Sequence, residues 1–193
     1  MHVLKAPVRA LAQRGMRYMA HLPPPPTTSP CHGVVVTGLG CISPLGFGVA
    51  DSWAALLAGK TGTRKLEAHH LPPLHSHLLP QLPCKVAALV PPEQCEEALG
   101  TLDKEDRSKR SSLFMQYALL AAHEALSDAG LLPELANPRL RATTGVAIGT
   151  GMSSCNEIIE AWQLLVVDKM RRLSPFFVPK ILPNMAAGAV GIK

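Results

Sequence analysis

Hydrophobic positions fall into short blocks whose period changes along the chain. Val34, Val35 and Val36 form a β-branched run between Gly33 and Gly38, which predicts a buried strand over Gly33–Gly40. Trp53, Leu56 and Leu57 then recur at helical spacing. Asp51 is placed to cap that helix and Gly59 to stop it. Residues 64–83 carry Pro72, Pro73, Pro80 and Pro83 and read as irregular. Lys85–Val90 predicts a second short strand, and the charged stretch 91–110 predicts a loop with short helical turns. The strongest helical period runs from Ser108 to Ala129. Leu113, Gln116, Tyr117, Leu120 and Glu124 mark its turns, and Ala118, Ala121, Ala122, Ala125 and Ala129 give it a small-residue face. Gly130 is the expected stop, with Pro133 shortly after. Thr143–Gly149 predicts a third strand. Asn156 is placed to cap a helix through Trp162 and Val166, and Asn184 to open a last helix that the sequence does not finish. Strands alternating with helices predict an α/β layer architecture with parallel pairing.

Charge divides the chain differently. The formal net charge is +5, but residues 1–32 carry Lys5, Arg9, Arg14 and Arg17 and no acidic residue. Without those four, 15 basic residues face 14 acidic ones, so the body offers no basic groove for nucleic acid. Residues 1–20 read as a mitochondrial transit peptide, with Leu4, Val8 and Leu11 at helical spacing among the basic residues. A plain disordered basic tail is the alternative, since serine is missing and Pro7 falls in the first turns. Residues 21–32 contain four consecutive prolines, Pro23–Pro26, and read as a stiff linker or an SH3-type ligand. No apolar run is long enough to span a bilayer. The five cysteines, Cys31, Cys41, Cys84, Cys95 and Cys155, are widely spaced without a CxxC, which favours free thiols in a reducing compartment.

Several local motifs imitate chemistry. Gly38-Leu39-Gly40 follows a predicted strand, but Ser43 and Pro44 break the dinucleotide-binding pattern, leaving a tight turn in which glycine permits unusual dihedrals. Gly59-Lys60-Thr61 imitates a phosphate-binding loop, yet Ala54 stands where a glycine is required and a helix precedes it. His69, His70, His75 and His77 could ligate zinc, although the surrounding prolines favour a solvated loop. Cys155, just ahead of a predicted helix, is the least unfavourable thiol nucleophile, but it has no nearby histidine base.

Four segments in order carry a family resemblance: Val34–Gly46, Tyr117–Gly130, Thr144–Gly151 and Ser174–Gly188. Together they resemble the β-ketoacyl-acyl-carrier-protein synthases, the condensing enzymes of fatty-acid synthesis, from about Gly33 to Lys193. With the basic leader, the chain resembles the mitochondrial, elongating branch. The resemblance implies a thiolase-like fold with layers ordered α/β/α/β/α, of which residues 33–193 would form most of the N-terminal half. It implies decarboxylative Claisen condensation of acyl and malonyl thioesters, delivered on the phosphopantetheine of acyl carrier protein, in the mitochondrial matrix. It also implies a homodimer and no metal or redox cofactor. The family's catalytic cysteine and histidines fall beyond Lys193, so no catalytic residue is assigned here, and the chain alone is expected to be inactive and poorly soluble. Ile158 matches a hydrophobic gate of the acyl tunnel and Phe177 another tunnel-wall position, with ordinary core packing as the alternative for both. Arg110-Ser111-Ser112 departs from the acidic–basic sequence that often precedes the first long helix. A non-catalytic short form that binds the full synthase, and a polyketide ketosynthase or thiolase relative, remain as other readings.

Overall fold

A computed structural model describes residues 33–71, 75–102 and 110–193. The proposed leader, the proline linker, Cys31, Pro72, Pro73 and the start of the long helix at Ser108 lie outside these residues. The chain divides into two compact units, Met1–Val35 and Val36–Lys193. Of the first, only Gly33–Val35 is described; it has no regular secondary structure, and its valines are exposed.

The second unit begins with a tight hairpin. β1 (Ile42–Ser43) pairs antiparallel with β2 (Gly46–Phe47), Ile42 opposite Phe47. Helix α1 (Val49–Leu57) follows at once. β3 (Thr63–Lys65) pairs antiparallel with β4 (Val86–Ala88), Arg64 opposite Ala87. Helices α2 (Pro92–Thr101), α3 (Leu113–Asp128), α4 (Pro138–Thr143), α5 (Cys155–Val166), α6 (Phe177–Ile181) and α7 (Met185–Ile192) complete the chain.

Helix α3 is the centre of this arrangement. It packs most extensively on α7 and also meets α2 and β1. Met115, Leu119 and Leu120 from α3, Cys95 from α2, Ala55 from α1 and Ala186 from α7 are the buried apolar residues. The expected stop of α3 holds, although the helix starts at Leu113 and residues 110–112 are not helical: Gly130 takes φ 66°, and the Gly130 and Leu131 amides donate to the carbonyls of Ser127 and Leu126 (3.0 and 2.9 Å). That pair of bonds is a Schellman stop. Gly59 ends α1 the same way, with φ 67° and its amide donating to Leu56.

Several expectations are corrected. Asp51 does not cap α1; the cap position is Gly48, and Asp51 sits in the first turn. Ser154, not Asn156, precedes α5. The stretch after residue 90 is a helix, α2, because Glu93, Gln94, Glu96, Glu97, Ala98 and Leu99 are strong helix formers and Cys95 gives it a buried contact. The interval 64–83 contains β3 and two short 3₁₀ turns, Ala68–His70 and Ser76–Gln81.

The largest correction concerns strands. Gly33–Gly40 and residues 144–150 form no strand: neither enters a ladder, and Val34, Val35, Val36 and Val146 are exposed. Among the described residues both strand pairs are antiparallel. A strand is completed only when a neighbouring strand accepts and donates its backbone hydrogen bonds, and among the described residues no strand pairs with either segment.

Candidate functional site

Two acidic side chains of α3 hold the Gly38–Val49 turn. Glu124 Oε2 accepts from the Cys41 amide (2.9 Å) and Oε1 from the Val49 amide (2.8 Å). Val49 opens α1, so Glu124 satisfies a free amide at that helix start from a distant element. One turn later, Asp128 Oδ2 accepts from the Leu39 amide (2.9 Å). Gly48, at φ 91°, closes the turn by donating to the Cys41 carbonyl (2.8 Å).

Gly38-Leu39-Gly40 owes its composition to close approach. A Cβ on Gly38 would lie 2.1 Å from the Ala125 carbonyl oxygen, and one on Gly40 would lie 1.9 Å from that of Ala121. Neither glycine has a positive φ, so unusual dihedrals are not the reason for the motif. The alanine face of α3 and these glycines form one contact surface.

On the side of α3 toward α7 lies an open cleft of about 820 Å³, lined by Leu119, His123, Leu126, Val146, Ile148 and Val190 among others. Ile158 and Phe177 are not part of that lining. They stand on α5 and α6, which pack against each other. Ile158 is 45% exposed and Phe177 half-buried. The exposed side of α5 continues through Ile159, Trp162, Leu165 and Val166.

The α5–α6 contact contains a charge pair that sequence reasoning missed. Lys180 Nζ pairs with Glu157 Oε1, their side chains only 11% and 18% exposed. The signal was available: Lys180 is the single charged residue in the apolar block Ser174–Gly188. A buried ammonium requires a partner.

Arg110 links this corner to α3. Its guanidinium lies 5.0 Å from the centre of the Phe176 ring, within cation–π range. Gln116 Nε2 donates to Ser111 Oγ (3.1 Å). The departure at residues 110–112 is therefore accommodated by stacking and an amide–hydroxyl bond. Ser112 is the cost of this local arrangement: it is 2% exposed, its hydroxyl has no partner, and it makes no side-chain cap bond. Ser112→Ala is expected to raise stability by about 1 kcal/mol, because it removes an unsatisfied buried hydroxyl. A urea midpoint that falls would contradict this.

The thiols Cys41, Cys84, Cys95 and Cys155 are free. Cys155 is exposed at the start of α5, and its sulfur contacts Met152 Sδ (3.5 Å) rather than an imidazole. Cys95 Sγ lies 3.3 Å from Tyr117 Oη. Burial, the hydrogen bond to Cys95 and its charge together push the Tyr117 phenol well above its usual range, so it stays protonated. His69 and His70 stack at 4.0 Å; His70 Nδ1 accepts from the Glu67 amide (2.9 Å), and His69 lies 3.4 Å from the Glu67 carboxylate. These contacts assign both imidazoles to the 3₁₀ turn.

Residues 32–193 match the family described as beta-ketoacyl synthase, N-terminal domain. The chain belongs to the β-ketoacyl synthase family. It is 44% identical over 170 residues to the mitochondrial 3-oxoacyl-[acyl-carrier-protein] synthase of Arabidopsis thaliana, covering 83% of this chain and 35% of that one. It is 37% identical over 165 residues to 3-oxoacyl-[acyl-carrier-protein] synthase 2 of Rhizobium meliloti, covering 83% and 36%. The chain thus spans about a third of the length of the relatives it matches. Among solved structures, a β-ketoacyl synthase from Burkholderia phymatum aligns with TM-score 0.60 at 22% identity, over 82% of this chain and 36% of that one. The ishigamide ketosynthase/chain length factor aligns with TM-score 0.58 at 21% identity, over the same shares. Both likenesses bear on the fold alone, and the thiolase-like fold expected from the sequence holds for the N-terminal portion.

Proposed function

We propose that this chain is the N-terminal part of a mitochondrial β-ketoacyl-acyl-carrier-protein synthase. The observation that carries the reading is the family match across residues 32–193, together with 44% identity to a mitochondrial synthase. The reaction is a decarboxylative Claisen condensation. An enzyme thiolate takes the acyl group and releases the carrier thiol. Malonyl thioester loses carbon dioxide, and the resulting carbanion attacks the acyl thioester, forming a carbon–carbon bond and freeing the enzyme thiolate. Amide donors and histidines would stabilise the developing oxyanion.

In this reading the thiolate and histidines stand outside residues 1–193, and no metal or redox cofactor takes part. Both substrates arrive on acyl carrier protein, the working enzyme is a homodimer, and residues 1–20 direct it to the matrix, with 21–32 as linker. Ile158 and Phe177 contribute to the acyl tunnel wall. The purified chain alone is expected to show no condensation of acyl and malonyl carrier thioesters. Residues 33–193, exchanged for the matching region of the Arabidopsis synthase, are expected to give an active chimera. Turnover by the isolated chain would overturn the first claim, and a folded but inactive chimera would overturn the family activity.

A second reading is a non-catalytic short form that binds a full-length synthase. It is favoured by the exposed valines Val34–Val36 and by the exposed α5 face from Ile158 to Val166. Co-purification of the chain with such a synthase tests it.

A further inference from the structure

We propose that the Lys180–Glu157 pair is a positioning device that sets acyl chain-length selectivity; this rests on the tunnel-wall reading of Ile158 and Phe177. Helix α6 spans five residues, Phe177–Ile181, and includes Pro179, which has no amide to donate. A helix this short does not hold its own position. Its placement comes from side chains that reach other elements, and two such contacts are present: Arg110 over Phe176, and Lys180 to Glu157.

The second contact stands beside both tunnel candidates. Lys180 and Phe177 are three residues apart, so they share one face of α6. Glu157 precedes Ile158 in the first turn of α5. The ion pair therefore ties the face carrying Phe177 to the turn carrying Ile158. Both charges are largely removed from water, so removing either one leaves the other without compensation and forces α6 to move. Lys180 and Glu157 need not touch the acyl chain. They fix the register of α6 on α5, and that register sets how much room the wall leaves.

The experiment uses the chimera that carries residues 33–193 in the Arabidopsis synthase. The charge-free variant E157M/K180M keeps side-chain volume and removes the pair. The ratio of kcat/KM for a long against a short saturated acyl carrier is expected to change about tenfold, the effect of roughly one methylene of space. The reversed pair E157K/K180E restores the attraction and is expected to return the ratio toward that of the unmodified chimera. An unchanged ratio in a charge-free variant that melts with the unmodified chimera overturns the inference while leaving the condensing activity standing. If the charge-free variant does not fold, a reversed pair that folds but whose ratio departs about tenfold from that of the unmodified chimera overturns it too. A folded chimera without activity brings down the functional reading, and this inference with it.

Discussion

Gly40→Ala is expected to cost roughly 3 kcal/mol or more and to leave little folded chain at room temperature. The new methyl would lie 1.9 Å from the Ala121 carbonyl oxygen and 2.9 Å from the Ala125 amide nitrogen. Both are backbone atoms of α3, so no side-chain rotation relieves the clash. Overpacking usually costs about 1–3 kcal/mol when side chains can shift, and a backbone obstacle belongs at the upper end. Gly100→Ala is the control. It lies in α2 with open space around its Cα and should gain about 0.5–1 kcal/mol through helix propensity. Urea denaturation of the two variants separates a packing requirement from a general aversion to alanine. Equal midpoints would refute the contact surface described between Gly38–Gly40 and α3.

Glu124→Ala is expected to be the next most damaging change, at about 2–4 kcal/mol. The substitution leaves the Cys41 and Val49 amides without their acceptor. A hydrogen bond to a charged group is worth about 1.5–3 kcal/mol, and the partly buried setting reduces the sum of two. Glu124→Gln offers one carbonyl oxygen in place of two carboxylate oxygens and should recover part of the loss. Asp128→Ala, which removes a single bond at an exposed position, should cost about 1 kcal/mol or less. If all three variants have the same urea midpoint, Glu124 is not the anchor of this turn.

Local signals were legible where backbone chemistry determines them. Gly59 and Gly130 stop their helices through left-handed residues, and only a few side chains tolerate that conformation. The alanine face of α3 was visible as spacing, and the family was visible in four ordered blocks. Strand pairing was not legible, because Val34–Val36 and residues 144–150 show what an extended segment can do but not whether a neighbour is present. The roles of Glu124 and Asp128 were hidden for another reason. Each looks like an ordinary polar residue on a helix, and its partners are backbone amides that carry no sequence identity. Lys180 was legible in principle as an isolated cation among apolar residues. Its partner Glu157 lies 23 positions earlier and looks like any first-turn carboxylate.

The dependence of the Gly38–Val49 turn on α3 also has a consequence in time. Its three anchoring bonds join residues 89, 83 and 75 positions apart. A ribosome adds about 5–20 residues per second, so the turn leaves the exit tunnel roughly 4–18 s before its acceptors do. During that interval Gly38 and Gly40 have no helix to rest on, and the Val49 amide has no carboxylate. The Gly38–Val49 turn therefore stays an undocked loop for that interval, open to a protease. Protection of the turn from cleavage during synthesis should await the emergence of Asp128.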